Sequence, residues 1–272
     1  MTITIGVAVP EGIVIGADSR TTYANARGWP KVGSDYAYKV FQLGRRSAAS
    51  TFGWAWLNQR NIASLVEDFR RSDDVSEDEP QILATKLGRF FDDQYKKHVS
   101  AGYDKAVGSG EEALGFIVGG FTTGGTGQLL RCGVPGPVVD EYWRTDSCGA
   151  IWDGQTDIVT RLIKGCDGRF NIDALPAEAR EALEKMEYVT YFNRFTLQDA
   201  VDYVIFLMKA TTEMQRFSDG VQAAPGDIAG TGGPLDIAVI TAEGLRWVQR
   251  KELRGETEIS AGGPGPFAGP ST

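Results

Sequence analysis

The segment that most restricts the fold is the start of the chain, where two apolar runs rich in β-branched residues flank Pro10-Glu11-Gly12. This pattern predicts an antiparallel β-hairpin. With a three-residue loop and its glycine in the left-handed conformation, Val9 pairs with Ile13. Asp18 then lies diagonally from Thr2 on the same face, within reach of it. A two-residue loop would turn Asp18 to the opposite face, because a slip of one residue exchanges the faces of a strand.

Thr2 is a candidate nucleophile because it directly follows Met1. Methionine aminopeptidases remove the initiator before small residues, which would make Thr2 the mature N-terminus. One residue would then carry a hydroxyl nucleophile and an α-amine that titrates near pH 7.7–8.0, a pairing found among activated nucleophiles. The alternative is an ordinary threonine at the start of an edge strand, since threonine is common in strands. The N-terminus alone leaves both interpretations open.

Four segments of the N-terminal quarter extend this pattern: residues 2–7 (TITIGV), 15–20 (IGADSR), 39–43 (KVFQL) and 49–55 (ASTFGWA). Together they resemble proteasome β-type subunits, which belong to the N-terminal-nucleophile (Ntn) hydrolases, as do related bacterial ATP-dependent peptidases and proteasome homologues. The resemblance implies that Thr2 is the nucleophile, Asp18 the acid after the second strand, and Lys39 the lysine that opens the third. A buried ammonium beside Thr2 would lower the proton affinity of its hydroxyl, and Asp18 would keep that lysine charged.

The same resemblance implies supporting residues elsewhere in the chain. Ser50 occupies the place of a family glycine whose backbone N–H stabilises the oxyanion, and a serine retains that N–H. A Gly-Ser-Gly turn that supports the nucleophile's amine corresponds to Ser147 or Cys148, of which Cys148 aligns better. Asp227 and Thr231 correspond to an aspartate and a serine with a similar role. A glycine-rich turn before a core strand, without such a role, explains the last two residues equally well.

The composition excludes several classes of function. The chain has 272 residues, and 28 Lys and Arg against 36 Asp and Glu give a net charge of −8. Without a dense basic run, this charge argues against nucleic-acid binding. No apolar run approaches the roughly 18 residues of a membrane span. Charged and turn residues interrupt the N-terminal apolar run, so we expect neither a signal peptide nor a membrane partner.

Cysteine and histidine usage narrows the chemistry further. Cys132, Cys148 and Cys166 form no paired motif, which fits a reducing compartment and predicts a cytoplasmic protein. His98 is the single histidine, so a Ser-His-Asp triad would depend on it alone and a histidine-rich zinc site cannot form. It ends a charged helical stretch, and we expect it to be solvated. We expect no metal and no organic cofactor.

Hydrophobic periodicity predicts the remaining elements. Two apolar stripes of helical spacing are expected to pack on a core, and Thr196 is expected to cap a third long helix. Residues 21–37 are expected to form a loop, and a helix is expected from about Asp153 to Lys164. The stripes consist of Ile62, Leu65, Val66 and Phe69, and of Leu83, Leu87, Phe90 and Phe91.

The element order suits an α+β fold, and the resemblance implies a four-layer αββα sandwich of two antiparallel sheets between helical layers. We expect one Ntn-hydrolase domain over residues 2–252 and a disordered Gly/Pro-rich tail over residues 253–272.

The predicted function is a threonine-type amide hydrolase, with peptide or protein as the expected substrate. Two alternatives stay open: a non-catalytic scaffold subunit, and a family member that transfers or ligates acyl groups or hydrolyses small amides. The resemblance also implies a homo-oligomer, either a ring or a spiral. Because Phe90 and Phe91 are adjacent, one of them is expected to face a subunit interface. The sequence does not indicate whether an ATPase partner exists.

Overall fold

The structure is a computed structural model that describes residues 2–25, 27–72, 75, 79–168, 172–221, 224–225 and 229–253. It is a mixed α+β fold containing two five-stranded antiparallel sheets. The first sheet contains, in spatial order, β12 (Gly149–Gly154), β1 (Ile3–Val9), β2 (Gly12–Ala17), β15 (Asp236–Thr241) and β16 (Gly244–Gln249). The second contains β11 (Val139–Arg144), β10 (Gly127–Val134), β9 (Leu114–Phe121), β6 (Ser47–Gly53) and β5 (Val40–Gly44).

Helices and short ribbons complete the described part of the chain. The helices are α1 (Ile62–Ser72), α2 (Pro80–Ser100), α3 (Asp157–Lys164), α4 (Ala177–Glu184) and α5 (Leu197–Phe217), with 3₁₀ turns at Ile172–Ala174 and Phe192–Arg194. The two-stranded ribbons pair β3 (Thr21–Ala24) with β4 (Pro30–Ser34), β7 (Trp56–Leu57) with β8 (Arg60–Asn61), and β13 (Gly220–Val221) with β14 (Ala224–Pro225). Within these described residues, none of the helices combines the length and apolar character that crossing a bilayer requires.

Three apolar clusters hold these elements together. One lies between α1, α2 and the second sheet, and includes Leu65, Leu87 and Phe116. Another lies between the two sheets, where Ile15 and Ile117 are fully buried. The third joins the first sheet to α5 and α3, and includes Val7, Val204 and Val159. Because side chains alternate along a strand, each central strand contributes to the clusters on both of its faces.

The periodic helices are confirmed. Ile62, Leu65, Val66 and Phe69 are the buried residues of α1, and α2 buries Leu83, Leu87 and Phe91. Thr196 caps α5 with a complete capping box, in which its hydroxyl accepts from the Asp199 N–H and its own N–H donates to the Asp199 carboxylate.

The register of the first hairpin differs from the prediction. Val9 pairs with Gly12, so the loop has two residues, and Ile3 is the position opposite Asp18. Gly12 lies within β2, where a Cβ would come within 2.7 Å of the Ile240 carbonyl oxygen on β15. Its lack of a side chain therefore permits close strand packing and does not mark a left-handed turn. Asp18 still reaches the N-terminal site because β2 has already ended at Ala17.

Strand β12 is absent from the predicted element order, and this omission matters most for the site. Residues 149–154 pair with β1 along their whole length, and α3 begins only at Asp157. The turn that precedes this helix is therefore Gly154-Gln155, several residues later than predicted. Residues 21–37 also differ, since the segment predicted to be a loop forms the β3–β4 ribbon.

One side-chain prediction on α2 is wrong. His98 is 2% exposed, not solvated, and its ring lies 5.5 Å from the Trp54 ring and 5.4 Å from the Tyr103 ring. Phe90 is half-buried and its ring packs 5.5 Å from the Phe69 ring at the edge of the α1–α2 cluster, and its expected place at an interface stays a prediction. The predicted tail from residue 254 onward lies outside the described residues.

Candidate active site

Thr2 lies at the start of β1, the strand between β2 and β12, and is 4% exposed. Its carbonyl oxygen accepts a hydrogen bond from the Gln155 N–H at 2.6 Å. Gly154 has a φ of 91°, and a Cβ there would come within 2.0 Å of the Thr2 carbonyl oxygen. A glycine is therefore required at this position, and the turn after β12 fixes the backbone of Thr2.

Asp18 is fully buried beside this strand end. One carboxylate oxygen accepts from the Ile3 N–H at 3.1 Å and from Lys39 Nζ at 2.7 Å. The other accepts from the Arg20 N–H at 3.0 Å and the Gly232 N–H at 2.9 Å. Four donors thus satisfy the carboxylate. Since the Ile3 amide is bonded directly to the Thr2 carbonyl carbon, Asp18 fixes the backbone of the candidate nucleophile from the side opposite β12.

Lys39 immediately precedes β5 and is almost completely buried. Its ammonium donates to Asp18 and to the Arg20 carbonyl oxygen. Burial lowers the pKa of Lys39 below its usual 10.5, and the Asp18 carboxylate opposes that shift. Lys39 and Thr2 line the same cavity. The structure therefore brings together Thr2, Asp18 and Lys39, the three residues at the centre of the sequence-based hypothesis.

Ser50 lies away from this group. It is fully buried in the middle of β6, and its hydroxyl forms a hydrogen bond with the Thr4 hydroxyl. Its cross-strand partner on β9 is Ile117. The Thr51 N–H points to the other edge, where it donates to the Lys39 carbonyl oxygen at 3.0 Å. Since amides alternate between the two edges of a strand, the Ser50 amide faces β9 and not the cavity.

Gly53, the last residue of β6, has the position expected of an oxyanion donor. Trp54 donates to the Ala113 carbonyl next to β9 at 2.8 Å, so the intervening Gly53 amide points to the same edge as the Thr51 amide. That edge is the one at which Lys39 lies, and Gly53 and Thr2 border the same cavity. Its φ of 85° and a hypothetical Cβ only 2.4 Å from the Ala113 carbonyl oxygen explain the glycine. The strand register, which the sequence did not reveal, distinguishes Gly53 from Ser50.

The proposed role of Cys148 is incompatible with its position. Gly149 pairs with Ala8 and Gly154 with Ile3, so Cys148 lies at the far end of β12. At about 3.3 Å per strand residue, it is roughly 20 Å from Thr2. The Cys148 thiol donates to the Thr145 carbonyl oxygen at 3.3 Å, and burial raises its pKa. The alternative, Ser147, is in the same distant turn, where its hydroxyl accepts from the Arg144 N–H.

Thr231 is linked to Thr2 through two glutamines that no sequence pattern indicates. Its N–H and its hydroxyl donate to Gln215 Oε1 on α5 at 3.0 and 2.9 Å. Gln215 Nε2 donates to Gln155 Oε1 at 2.7 Å, and the Gln155 N–H binds the Thr2 carbonyl. Thr231 is therefore connected to Thr2 only at a distance, through a chain of hydrogen bonds. Asp227, the other residue predicted in this loop, lies outside the described residues.

Two cavities meet at Thr2. The first, called here the Thr2 cavity, has a volume of about 290 Å³, and its lining includes Tyr38, Lys39, Gly53 and Ile62. The second, called the open cleft, has a volume of about 930 Å³ and extends along the β3–β4 ribbon. They share Thr2, Gly53, Trp54, Ala55 and Trp56.

The β3–β4 ribbon forms one wall of the open cleft. Arg20 anchors its base through two hydrogen bonds to Asp35, at 2.6 and 3.2 Å, and one to the Ala229 carbonyl oxygen at 3.2 Å. Higher on the ribbon, the Tyr23 ring contacts the Trp56 ring edge-on at a centroid distance of 5.9 Å. Tyr23 and Trp56 both line the open cleft.

This arrangement has the parts required for acyl transfer to a hydroxyl: a threonine, an adjacent ammonium held by a buried carboxylate, a backbone N–H donor and two cavities. In the part of the chain that the structure describes, His, Cys, Asp and Glu side chains form no group of three suited to holding a metal ion. No protein-family model matches the sequence, and no curated protein is similar to it at a significant level.

Proposed function

We propose that the protein is an N-terminal threonine hydrolase that cleaves amide bonds in peptides. The observation that carries this proposal is the buried Lys39–Asp18 ion pair, with an Nζ–O distance of 2.7 Å, at a cavity that Thr2 also lines. A buried lysine is costly unless it is paired. A lysine in this position is most simply explained by an electrostatic role toward the neighbouring hydroxyl.

In the proposed mechanism, removal of Met1 exposes the α-amine of Thr2. The Thr2 hydroxyl oxygen attacks the substrate carbonyl carbon while its proton passes to that amine, directly or through water. The Lys39 ammonium favours the deprotonated hydroxyl, and the Gly53 N–H donates to the oxyanion. The protonated amine then gives its proton to the leaving nitrogen, which leaves an ester on Thr2. Water, activated by the same amine, hydrolyses the ester and regenerates the hydroxyl.

The cavities suggest which substrates fit. The Thr2 cavity is bordered by the aromatic residues Tyr38, Phe52 and Trp54, and its lysine is already paired with Asp18. An uncharged, medium-sized side chain next to the scissile carbonyl suits such a cavity best, because a charged group would lose its hydration without gaining a partner. The open cleft on the other side leaves room for a peptide in extended conformation.

We infer that the domain is a four-layer αββα sandwich of the Ntn-hydrolase type. Helices α1 and α2 pack against the outer face of the second sheet, and α5 and α3 pack against the outer face of the first. The two sheets share the cluster between them. This packing and the N-terminal location of the site support the inference.

The open cleft also supports a second candidate function, acyl transfer. Its volume of about 930 Å³ beside Thr2 would accommodate an amine that competes with water for the Thr2 ester. Product analysis with an added amino acid amide separates the two activities, because a transferase forms a new amide whereas a hydrolase releases only the acid.

A homo-oligomer, as a ring or spiral, remains part of the proposal on the strength of the sequence resemblance. Of the two phenylalanines on α2, Phe91 is fully buried in the α1–α2 cluster, whereas Phe90 packs against that cluster and is half-buried. Apolar side chains exposed elsewhere, such as Tyr188, Val189 and Phe206, offer other contact surfaces. Light scattering that shows only monomer at micromolar concentration would contradict this part of the proposal.

The decisive experiment compares Thr2→Ala, Thr2→Ser and Thr4→Ala on a library of fluorogenic peptide amides. Thr2→Ala should lower kcat/KM by at least about 10³-fold, because the attacking oxygen is gone. Thr2→Ser should retain measurable activity. Thr4 is the matched control, since its hydroxyl binds the Gly16 carbonyl at 3.1 Å within the core. Its variant should remain active.

A β-lactone probe supplies an independent measurement by intact mass and peptide mapping. Acylation should be confined to an N-terminal peptide that begins at Thr2 and should disappear in Thr2→Ala. A mature protein that retains Met1, or a Thr2→Ala variant with unchanged activity, would refute the mechanism.

A further inference from the structure

The β7–β8 ribbon forms part of the wall of the Thr2 cavity, and the turn that joins its two strands is strained. Trp56 and Asn61, which are paired across the ribbon, both line the cavity. The loop between the strands is Asn58-Gln59, with φ values of 51° and 60°. Positive φ at both loop positions defines a type I′ turn, in which asparagine is common at the first position and glycine at the second. Gln59 therefore occupies a position that disfavours a side chain.

A non-glycine residue in the left-handed region persists only where its surroundings enforce that conformation. Here the enforcing contacts come from α2. His98 Nδ1 accepts a hydrogen bond from the Asn58 N–H at 2.8 Å. The Asn58 side-chain amide donates to the Gln94 carbonyl oxygen at 3.2 Å and to Gln94 Oε1 at 2.9 Å.

The contacts of His98 define its tautomer. A ring nitrogen that accepts from a backbone N–H carries no proton, so the ring proton must be on Nε2. Nε2 lies 3.0 Å from an Asp104 carboxylate oxygen, to which it can donate. The ring also packs against Trp54, which borders both cavities at Thr2. His98 thus contacts the strained turn and a cavity wall at the same time, although it lies outside the proposed catalytic group.

We propose that His98 is a positioning residue for substrate, which holds the β7–β8 ribbon in the conformation that places Trp56 beside Thr2. Its essential atom is Nδ1, the acceptor for the Asn58 N–H. This role rests on the proposed peptidase function, and it predicts an effect on substrate binding more than on the chemical step.

Two substitutions at His98 distinguish the roles of its two ring nitrogens. The side-chain oxygen of asparagine can occupy the place of Nδ1, whereas the longer glutamine amide reaches the place of Nε2. His98→Gln should raise KM about tenfold with kcat nearly unchanged, the pattern of lost ground-state and transition-state binding together. His98→Asn should keep KM close to that of the wild type. A third variant, Gln59→Gly, relieves the turn, and adding it to His98→Gln should restore much of the lost affinity.

NMR tests the same proposal without using activity. The chain has one histidine, so its imidazole nitrogens are assigned without ambiguity. We expect the signature of an unprotonated Nδ1 and a protonated Nε2, together with slow hydrogen exchange at the Asn58 amide that becomes fast in His98→Gln. A protonated Nδ1 in the wild type, or an unchanged KM in a folded His98→Gln variant, would overturn the proposal. If instead Thr2→Ala retains full activity, the peptidase function fails, while the NMR result still shows whether His98 holds the turn.

Discussion

Among the residues that the structure describes, two buried lysine–aspartate pairs are close neighbours and differ in their surroundings. Lys39 pairs with Asp18, and Lys251 pairs with Asp236. Asp236 lies opposite Ala17 in the first sheet, and Ala17 directly precedes Asp18. Burial lowers the pKa of both lysines. The chemistry of the two pairs is the same, so any difference in role must come from what lies around them.

The two pairs differ in whether a cavity lies beside them. Lys251 lies with its ammonium 4.4 Å from the centre of the Tyr38 ring, and its backbone N–H also donates to Asp236 at 2.8 Å. That pair attaches the segment after β16 to the first sheet. The Lys39 pair instead borders a cavity, next to the backbone of Thr2. Burial of an ion pair is therefore not by itself a sign of function. The Lys39 pair points to function because a cavity and a candidate nucleophile lie beside it.

The largest expected difference between the pairs is in activity. Lys39→Met should lower kcat/KM by about 10³-fold, because it removes the charge that favours the Thr2 alkoxide. Lys251→Met, the matched control, should change kcat/KM of the folded enzyme by only about two- to threefold. Steady-state kinetics on one peptide amide measures both. Equal losses in the two variants would show that the Lys39 pair has no special role.

The Lys251 pair should also matter for stability. Lys251→Met leaves the buried Asp236 carboxylate without its ammonium and should lower the free energy of unfolding by about 3–5 kcal/mol. Adding Asp236→Asn removes that unpaired charge and keeps an acceptor for the residue 251 N–H, so the double variant should regain most of the loss. Urea denaturation followed by circular dichroism measures both values. A stable single variant would show that the pair does not hold the C-terminal segment.

The pH dependence links the two pairs. Activity that needs the Lys39 ammonium should fall as pH rises through the lowered pKa of Lys39, so the alkaline limb of kcat/KM should lie below pH 10.5. The Lys251 charge contributes to lowering that pKa. Lys251→Met should therefore raise the pKa of Lys39 and move the limb to higher pH. A limb that is identical in the two proteins would exclude this coupling.

The smallest effects are expected where the sequence-based hypothesis and the structure disagree. Cys148→Ala should leave kcat/KM within about twofold of the wild type, because the thiol is roughly 20 Å from Thr2. Ser50→Ala should also retain activity and lose about 1 kcal/mol of stability with its Thr4 hydrogen bond. A large loss of activity in either variant would show that the substituted residue contributes to catalysis after all.

Local patterns predicted much of this structure. The stripe of α1 and the capping box of α5 depend on spacings of three and four residues, which a sequence displays directly. The sequence resemblance predicted the group of Thr2, Asp18 and Lys39, and each of these residues adjoins a strongly apolar strand.

The remaining features depend on long-range pairing. Choosing Gly53 over Ser50 requires knowing that β5 begins opposite Ser50, whereas β6 continues beside β9 as far as Gly53. Placing the supporting turn at Gly154-Gln155 requires knowing that residues 149–154 pair with β1. The relay through Gln215 joins α5 to a turn 60 residues away in sequence. Strand register and side-chain relays of this kind leave no periodic pattern in the sequence.

The position of β1 between β2 and β12 also sets an order of events during synthesis. Its first neighbour, β2, follows at once, but the contacts of Gly154 and Gln155 with Thr2 require that about 155 residues have been made. At about 5–20 residues per second, translation takes roughly 8–30 s to reach that point. Under the proposed mechanism, this interval is when an aminopeptidase can reach Met1, because β12 later buries the residue that follows it. Maturation of the nucleophile would then be co-translational, completed before the sheet closes around it.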